Sequence, residues 1–147
     1  ASSTYSADVG NSPFDSFTGS INEGGSAIAT VTALEMTLEN GIEPLFSVGS
    51  QTTNRPSIGK SRVTGTLTTY FESKSLYDKF LNETSSSIAL TLTDLSGNDY
   101  LIELGNVKYN SGQPDVSGDG SVTIALDFQA LYDNGAQSNI VITRTPA

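Results

Sequence analysis

Three side chains with oxygen ligands alternate along one polar segment: Asp115, Ser117 and Asp119, followed by Gly120. Oxygen atoms at alternate positions are typical of the start of a calcium-binding loop, whose twelfth position is a bidentate Glu. The twelfth position here is Leu126, an apolar residue inside a predicted strand. The segment therefore predicts a tight turn between strands, and the sequence predicts no metal site.

Paired carboxylates can carry out acid/base catalysis, and four candidates are present: Glu35, Glu39, Glu103 and Asp127. Each occupies an outward position of a predicted strand, where a carboxylate usually faces solvent. No sequence feature places two of them across a cleft. The chain has no His and no Cys, which excludes imidazole bases, thiol nucleophiles and Ser-His-Asp triads. The sequence argues against an enzyme and indicates no cofactor.

The size and charge of the chain limit its architecture and its partners. A chain of 147 residues is the length of one domain. Its formal net charge of -9 excludes binding nucleic acid by neutralising phosphates. No apolar segment is long enough to predict a membrane span. The small polar residues 1–15 predict a flexible arm or linker, which leaves residues 16–147 as a single domain.

Alternation of apolar and polar residues, the period of a strand, dominates the chain. The alternation changes parity near Ala33, which predicts a bulge or bend there. Beyond it, Glu35 and Glu39 fall on the face opposite the apolar residues. In a later strand, Gly65 leaves a gap in the apolar row. Residues 49–59 contain turn formers without periodicity and are predicted to form a long loop.

One segment has the period of a helix, and Ser73 or Ser75 could cap its start. Its apolar side chains form one stripe that would pack on a sheet: Leu76, Tyr77, Phe80 and Leu81. Further along, residues 96–99 have the composition of a hairpin turn. About eight strands and one short flanking helix predict a mainly β fold, either an antiparallel β-sandwich or a partly closed barrel.

Two segments resemble the tail tube proteins of long-tailed bacteriophages, the siphophage major tail protein family. They are RVTGTLTTYFESKSLYDKFLN at residues 62–82 and QPDVSGDGSVTIALDFQALYDNGAQSNIVITRTP at residues 113–146. With IEPLF at residues 42–46, the resemblance extends over roughly residues 16–146. It matches the C-terminal domain of longer family members, which leaves open whether an N-terminal domain is missing here. The resemblance implies a structural virion protein of the phage tail, made in the cytoplasm of the bacterial host.

The resemblance also implies the partners. Copies of the chain would form hexameric rings, or trimeric pseudo-hexameric ones, and the rings would stack into a tube. Tape measure and terminator proteins would contact this tube, and DNA would pass through it without specific binding. An acidic wall would keep DNA moving, and the residues expected to face the lumen are Glu35, Glu39 and Glu103. A loop would contact the adjacent ring, and its residues are Ser50, Gln51, Thr52, Thr53, Asn54, Arg55 and Pro56.

A second interpretation is a ligand-binding or carbohydrate-binding β-sandwich module of the adhesin type. Sugar sites usually present exposed aromatic rings, because a flat ring face matches the apolar face of a pyranose. The chain has no Trp, but its six Tyr residues leave this alternative open.

Overall fold

The computed structural model describes residues 13–14, 19–46, 48–49, 52, 55–57, 59–72, 74–115 and 120–147. The predicted N-terminal arm or linker, residues 1–15, therefore lies almost entirely outside the described residues. In chain order the elements are β1 (Ser20–Glu23), β2 (Ser26–Ala27), β3 (Val31–Glu39), β4 (Glu43–Leu45), β5 (Arg55–Ser57), β6 (Arg62–Tyr70), α1 (Ser75–Leu81), β7 (Ser86–Thr93), β8 (Asp99–Tyr109), β9 (Gln113–Asp115), β10 (Thr123–Ala130) and β11 (Val141–Thr145).

Nine of these strands form one antiparallel sheet. Its order is β2-β1-β7-β8-β10-β6-β3, with β11 beside β8 and β9 beside β10. No ladder among the described residues joins β3 to β1 or β2, so the sheet does not close into a barrel. The predicted mainly β, antiparallel fold with one short flanking helix is confirmed.

The core lies on one face of this sheet. Along β10, Ile124, Leu126 and Phe128 are buried, and Leu126 pairs with Leu67 of β6. The same cluster contains Ile88 from β7, in the other half of the sheet. Ile21 of β1 and Leu34 of β3, from the two ends of the sheet, line one groove, so the sheet curls around its apolar face.

The predicted irregularities in the strand pattern are confirmed. The register between β3 and β6 shifts between Val31 and Ala33, as the change of parity indicated. The gap at Gly65 is filled by the ring of Phe128: a Cβ atom on Gly65 would lie 2.6 Å from the ring and would overlap the carbonyl oxygen of Glu35. Gly65 is therefore required by the close approach of the ring and the neighbouring strand.

Helix α1 packs on the sheet, but two predictions about it were wrong. Its N-cap is Lys74, and Ser75 already belongs to the first turn; Ser73 lies outside the described residues. Leu81 is 57% exposed because the helix ends there. The other stripe residues pack against the core as predicted: Leu76, Tyr77 and Phe80.

The turn between β7 and β8 is confirmed, and Asp94 organises it. One carboxylate oxygen of Asp94 accepts hydrogen bonds from the backbone N–H groups of Ser96 and Asn98, each at 2.8 Å. The side-chain amide of Asn98 donates to the other oxygen. Gly97 has a φ of 86°, the left-handed conformation that glycine adopts at low cost.

The predicted loop at residues 49–59 was wrong in part. β5 (Arg55–Ser57) pairs with β4 (Glu43–Leu45), and Pro56 lies opposite Pro44. These two strands form a separate two-stranded sheet. All their residues are exposed, so neither strand has a buried face that could impose an alternating pattern.

Candidate assembly surfaces

The outward face of the sheet carries aligned polar rows across β3, β6 and β10. Thr66 of β6 lies between Glu35 of β3 and Asp127 of β10. Four residues further along β3, Glu39 lies opposite Arg62. Glu35 and Asp127 line the same shallow depression on this face. The curl of the sheet thus leaves one broad polar surface on the side opposite the core.

Two hydroxyl groups fix the carboxylate of Asp127. Ser111 Oγ donates to one oxygen at 2.7 Å, and Thr66 Oγ1 donates to the other at 2.7 Å. These hydrogen bonds favour the charged form and hold the pKa of Asp127 below its ordinary value, with Ser111 making the larger contribution. Because Asp127 stays ionised at neutral pH, it is a poor proton donor.

The three predicted lumen residues do not lie together. Glu35 and Glu39 share one face of β3, as predicted. Glu103 is also exposed, but it belongs to β8, where its neighbours across the sheet are Ala89 of β7 and Val141 of β11. The sequence pattern gave the outward orientation of all three residues, whereas the order of the strands separates Glu103 from the other two.

The hairpin of β4 and β5 forms a second surface with the described residues around it, 42–46, 48–49, 52 and 55–57; we call it the hairpin arm, as distinct from the N-terminal segment 1–15. Its large apolar side chains are more than half exposed: Ile42 58%, Leu45 52%, Phe46 67% and Val48 109%. Of the predicted inter-ring residues, the described ones, Thr52, Arg55 and Pro56, are exposed. The others lie outside the described residues: Ser50, Gln51, Thr53 and Asn54.

A third surface is an apolar groove at the open seam of the sheet, which we call the seam groove. It has a volume of about 520 Å³ and lies where β3 approaches β1 and β7 without pairing to them. Its lining residues carry no charge: Gly19, Ser20, Ile21, Ala27, Ile28, Ala29, Val31, Thr32, Ala33, Leu34, Leu90 and Leu92. The groove exists because the sheet curls without closing.

A buried polar group, which we call the Glu23 cluster, joins α1 to the sheet. Lys79 Nζ donates to both carboxylate oxygens of Glu23, at 2.8 and 2.6 Å. Ser86 Oγ and Tyr109 OH donate to Glu23 Oε1, at 2.5 and 3.1 Å. The Glu23 side chain is only 4% exposed. Four elements, β1, α1, β7 and β8, thus meet at one carboxylate.

The sequence pattern does not indicate the Glu23 cluster. Glu23 stands directly before Gly24 and Gly25, where an acidic residue suggests an exposed turn. One sign of this cluster is visible in the sequence. Lys79 is a charged residue three positions after Leu76, which puts it on the side of the helix that packs on the sheet. In the structure, burial and the nearby Glu23 carboxylate raise the pKa of Tyr109.

Within the described ranges, no group of three or more carboxylate side chains is arranged to hold a metal ion. Most of the calcium-loop-like segment, residues 116–119, lies outside the described residues. No helix in the described part of the chain has the length and apolar character needed to cross a membrane.

Comparison with protein families decides the class of the protein. Residues 1–130 match the family described as phage tail tube protein. The chain belongs to this family. It is therefore a structural protein of the virion tail, and the carbohydrate-binding alternative is not favoured. The residues matched include the polar face of the sheet and the hairpin arm. No curated protein sequence matches the chain.

Solved structures share the fold at low sequence identity. The SPP1 tail tube is 13% identical with a TM-score of 0.63, covering 92% of this chain and 80% of that chain. The sheath/tube terminator of the PVC extracellular contractile injection system is 12% identical with a TM-score of 0.65, covering 89% and 96%. The tail of an empty GTA particle, with C6 symmetry, is 12% identical with a TM-score of 0.55, covering 80% and 85%.

Proposed function

We propose that copies of this tail tube protein assemble into rings that stack into the channel for genome DNA, in a tail of the siphophage type. The family match over residues 1–130 carries this proposal. The shared fold with a C6-symmetric GTA tail supports rings of six identical copies, with three two-domain chains as the alternative. Tape measure and terminator proteins are the expected partners of the tube.

The polar face of β3 is the proposed lumen wall. Glu35 and Glu39 lie on that face four residues apart, with Glu39 opposite Arg62, and Glu103 would extend the acidic surface onto β8. Six copies would carry six times the formal charge of -9. Charges around a closed ring interact when they lie within a Debye length, about 8 Å at physiological salt. Such a wall repels the phosphates of DNA and so prevents it from adhering.

The hairpin arm is the proposed contact with the adjacent ring. Its apolar side chains have no cover within the described residues, and exposed apolar patches of this kind mark interaction surfaces. Residues 1–15 are proposed as a flexible N-terminal arm or linker of the single domain formed by residues 16–147. The ring of Phe14 packs edge-on against Tyr100 of β8, with centroids 5.2 Å apart, which supports an attachment point at the end of this segment.

Electron microscopy of the purified chain over a concentration series tests ring assembly, with mass photometry alongside. We expect rings or tubes with a central hole, and the mass distribution gives the number of copies. A chain that stays monomeric at every concentration would contradict assembly by this chain alone.

Charge reversal tests the lumen assignment. Glu35→Lys with Glu39→Lys should slow DNA release from particles several-fold while tubes still form, because lysines on the wall attract phosphates. The matched control is Glu72→Lys with Glu83→Lys, which changes the net charge equally at two exposed residues near α1. Equal release rates for the two double variants would contradict the assignment of β3 to the lumen.

A further inference from the structure

We propose that Asn134 is a site of spontaneous covalent modification, at which the side-chain amide is lost and the backbone linkage is rearranged. The reaction needs only water, and the fold directs it to Asn134 rather than to the other Asn–Gly pair of the chain.

The chemistry follows from an Asn residue and its successor. The backbone nitrogen of the next residue attacks Cγ of the Asn side chain, which forms a new N–Cγ bond and closes a succinimide ring. The side-chain nitrogen leaves as ammonia and takes the proton of the attacking N–H group. Water then opens the ring at either carbonyl carbon and leaves aspartate or isoaspartate. A following glycine favours the attack, because it has no Cβ atom and its backbone rotates freely.

Two Asn–Gly pairs occur in the sequence, Asn40–Gly41 and Asn134–Gly135. Each pair follows an acidic residue, Glu39 or Asp133, and each precedes an apolar one. Because the local sequences are so similar, the two pairs should react at similar rates in an unfolded chain. A large difference between them in the native protein must therefore come from the fold.

The Asn134–Gly135 pair lies in an open turn. Residues 134–137 form a turn between β10 and β11, and both residues of the pair are exposed. A Cβ atom built on Gly135 would contact Asp133 Oδ2 at 3.1 Å and no other described residue outside its chain neighbours. Neither the Asn134 amide nor the Gly135 N–H group forms a hydrogen bond to another described residue. The attacking nitrogen is therefore unobstructed.

The contacts that close this turn do not hold the reacting peptide. The N–H group of Asp133 donates to the carbonyl oxygen of Ser138 at 3.0 Å, and the N–H group of Ala136 donates to Asp133 Oδ2 at 2.7 Å. Gln137 has a φ of 53°, a left-handed conformation that is unfavourable for a residue with a side chain. An exposed, strained turn opens locally at low free-energy cost. Opening lets the Gly135 nitrogen reach Asn134 Cγ, as an intramolecular reaction requires.

The Asn40–Gly41 pair is held by its neighbours. Gly41 has a φ of 55°, and a Cβ atom on Gly59 would overlap the carbonyl oxygen of Gly41. A Cβ atom on Gly41 itself would lie 3.4 Å from the carbonyl oxygen of Lys60. Closure of the succinimide ring rotates the peptide between Asn40 and Gly41, and this rotation moves Gly41 out of its packed position. We therefore expect Asn40 to react slowly while the protein is folded.

Modification at Asn134 changes the connection between β10 and β11. Either product is ionised at neutral pH, so each copy gains a negative charge next to Asp133. Isoaspartate also lengthens the backbone, which displaces the turn relative to the bridge between Asp133 and Ser138. Because a virion protein is not replaced after assembly, the product accumulates with the age of the particle.

Peptide mapping by mass spectrometry measures the reaction directly. The purified chain is incubated at mildly alkaline pH, and the peptides that contain Asn134 and Asn40 are followed in the same sample, so that Asn40 is the internal control. We expect Asn134 to react about tenfold faster than Asn40 in the folded protein, which corresponds to a barrier lower by about 1.4 kcal/mol. Both aspartate and isoaspartate should appear at position 134, because the ring opens at either carbonyl.

A parallel incubation in urea separates the effect of the fold from that of the local sequence. The unfolded chain should modify Asn134 and Asn40 at similar rates. Ion-exchange chromatography of the folded protein gives a second readout, because the product is more acidic. Asn134→Gln should abolish this acidic species, since its longer side chain would have to close a larger ring. The matched variant Asn40→Gln should leave the acidic species unchanged.

Three outcomes would overturn the proposal. The first is a folded protein in which Asn40 reacts as fast as Asn134. The second is a preference for Asn134 that persists unchanged in urea, because the local sequence rather than the fold would then explain it. The third is an acidic species that still forms in the Asn134→Gln chain, which would assign the modification to another residue.

Discussion

Removing Lys79 should destabilise the domain far more than removing another lysine of the same helix. Lys79 supplies two short hydrogen bonds to Glu23, whose side chain is 4% exposed. Breaking a buried ion pair by removing one partner typically costs about 3–5 kcal/mol. The Lys79 side chain is 28% exposed, so water can partly replace it. We therefore expect Lys79→Ala to lower the free energy of unfolding by about 3 kcal/mol, the low end of that range.

The charge left behind, rather than the lost bonds, should account for most of this effect. Glu23→Gln removes the charge but keeps an oxygen for Ser86 and Tyr109, so it should cost about 1 kcal/mol. The double variant, Glu23→Gln with Lys79→Ala, should cost about 2 kcal/mol, less than the sum of the single changes. The thermodynamic cycle would then give a coupling energy of about 2 kcal/mol between the two side chains.

Urea unfolding followed by circular dichroism measures these free energies by linear extrapolation. The matched control is Lys74→Ala. Lys74 forms an exposed i,i+4 pair with Asp78 at 3.9 Å, which should contribute less than about 0.5 kcal/mol. A Lys79→Ala variant as stable as the Lys74→Ala variant would refute the reasoning, because it would show that the Glu23 carboxylate does not need its cation.

Two further predictions concern the core and the pH dependence. Gly65→Ala should lower the free energy of unfolding by about 2–3 kcal/mol, because its Cβ atom meets Phe128 and the carbonyl oxygen of Glu35. Gly120→Ala, which has open space around it, should change the free energy of unfolding little. Tyr109 should remain a phenol above pH 10, because burial and the Glu23 carboxylate raise its pKa. The stability that this shift contributes is complete below about pH 10, and it is lost as the pH rises further.

Each of these two predictions has a direct check. Equal midpoints for Gly65→Ala and Gly120→Ala would contradict the packing argument. For the phenol, absorbance at alkaline pH counts the ionised tyrosines: one of the six should ionise only when the protein unfolds, and Tyr109→Phe should remove that late component. A late component that survives this substitution would belong to another tyrosine.

The sequence predicted the strands that bury one face. Period-two alternation identified β10, the parity change near Ala33 marked the bulge in β3, and the gap at Gly65 was visible as a missing apolar residue. These features were readable because each buried strand repeats the same inside–outside choice at every second residue. The strands of the hairpin arm, β4 and β5, were missed for the opposite reason, since neither has a buried face.

The sequence by itself therefore determined the mainly β class, the outward position of Glu35, Glu39 and Glu103, and, through the resemblance of its segments, the tail tube family. The tertiary structure decided which of these residues are neighbours. It placed Glu103 on the central strand β8, away from the edge strand β3 that carries Glu35 and Glu39, and it brought Glu23 to Lys79 across 56 residues. Alternation records only which side of a strand a residue occupies, whereas neighbours depend on strand order, which long-range pairing sets.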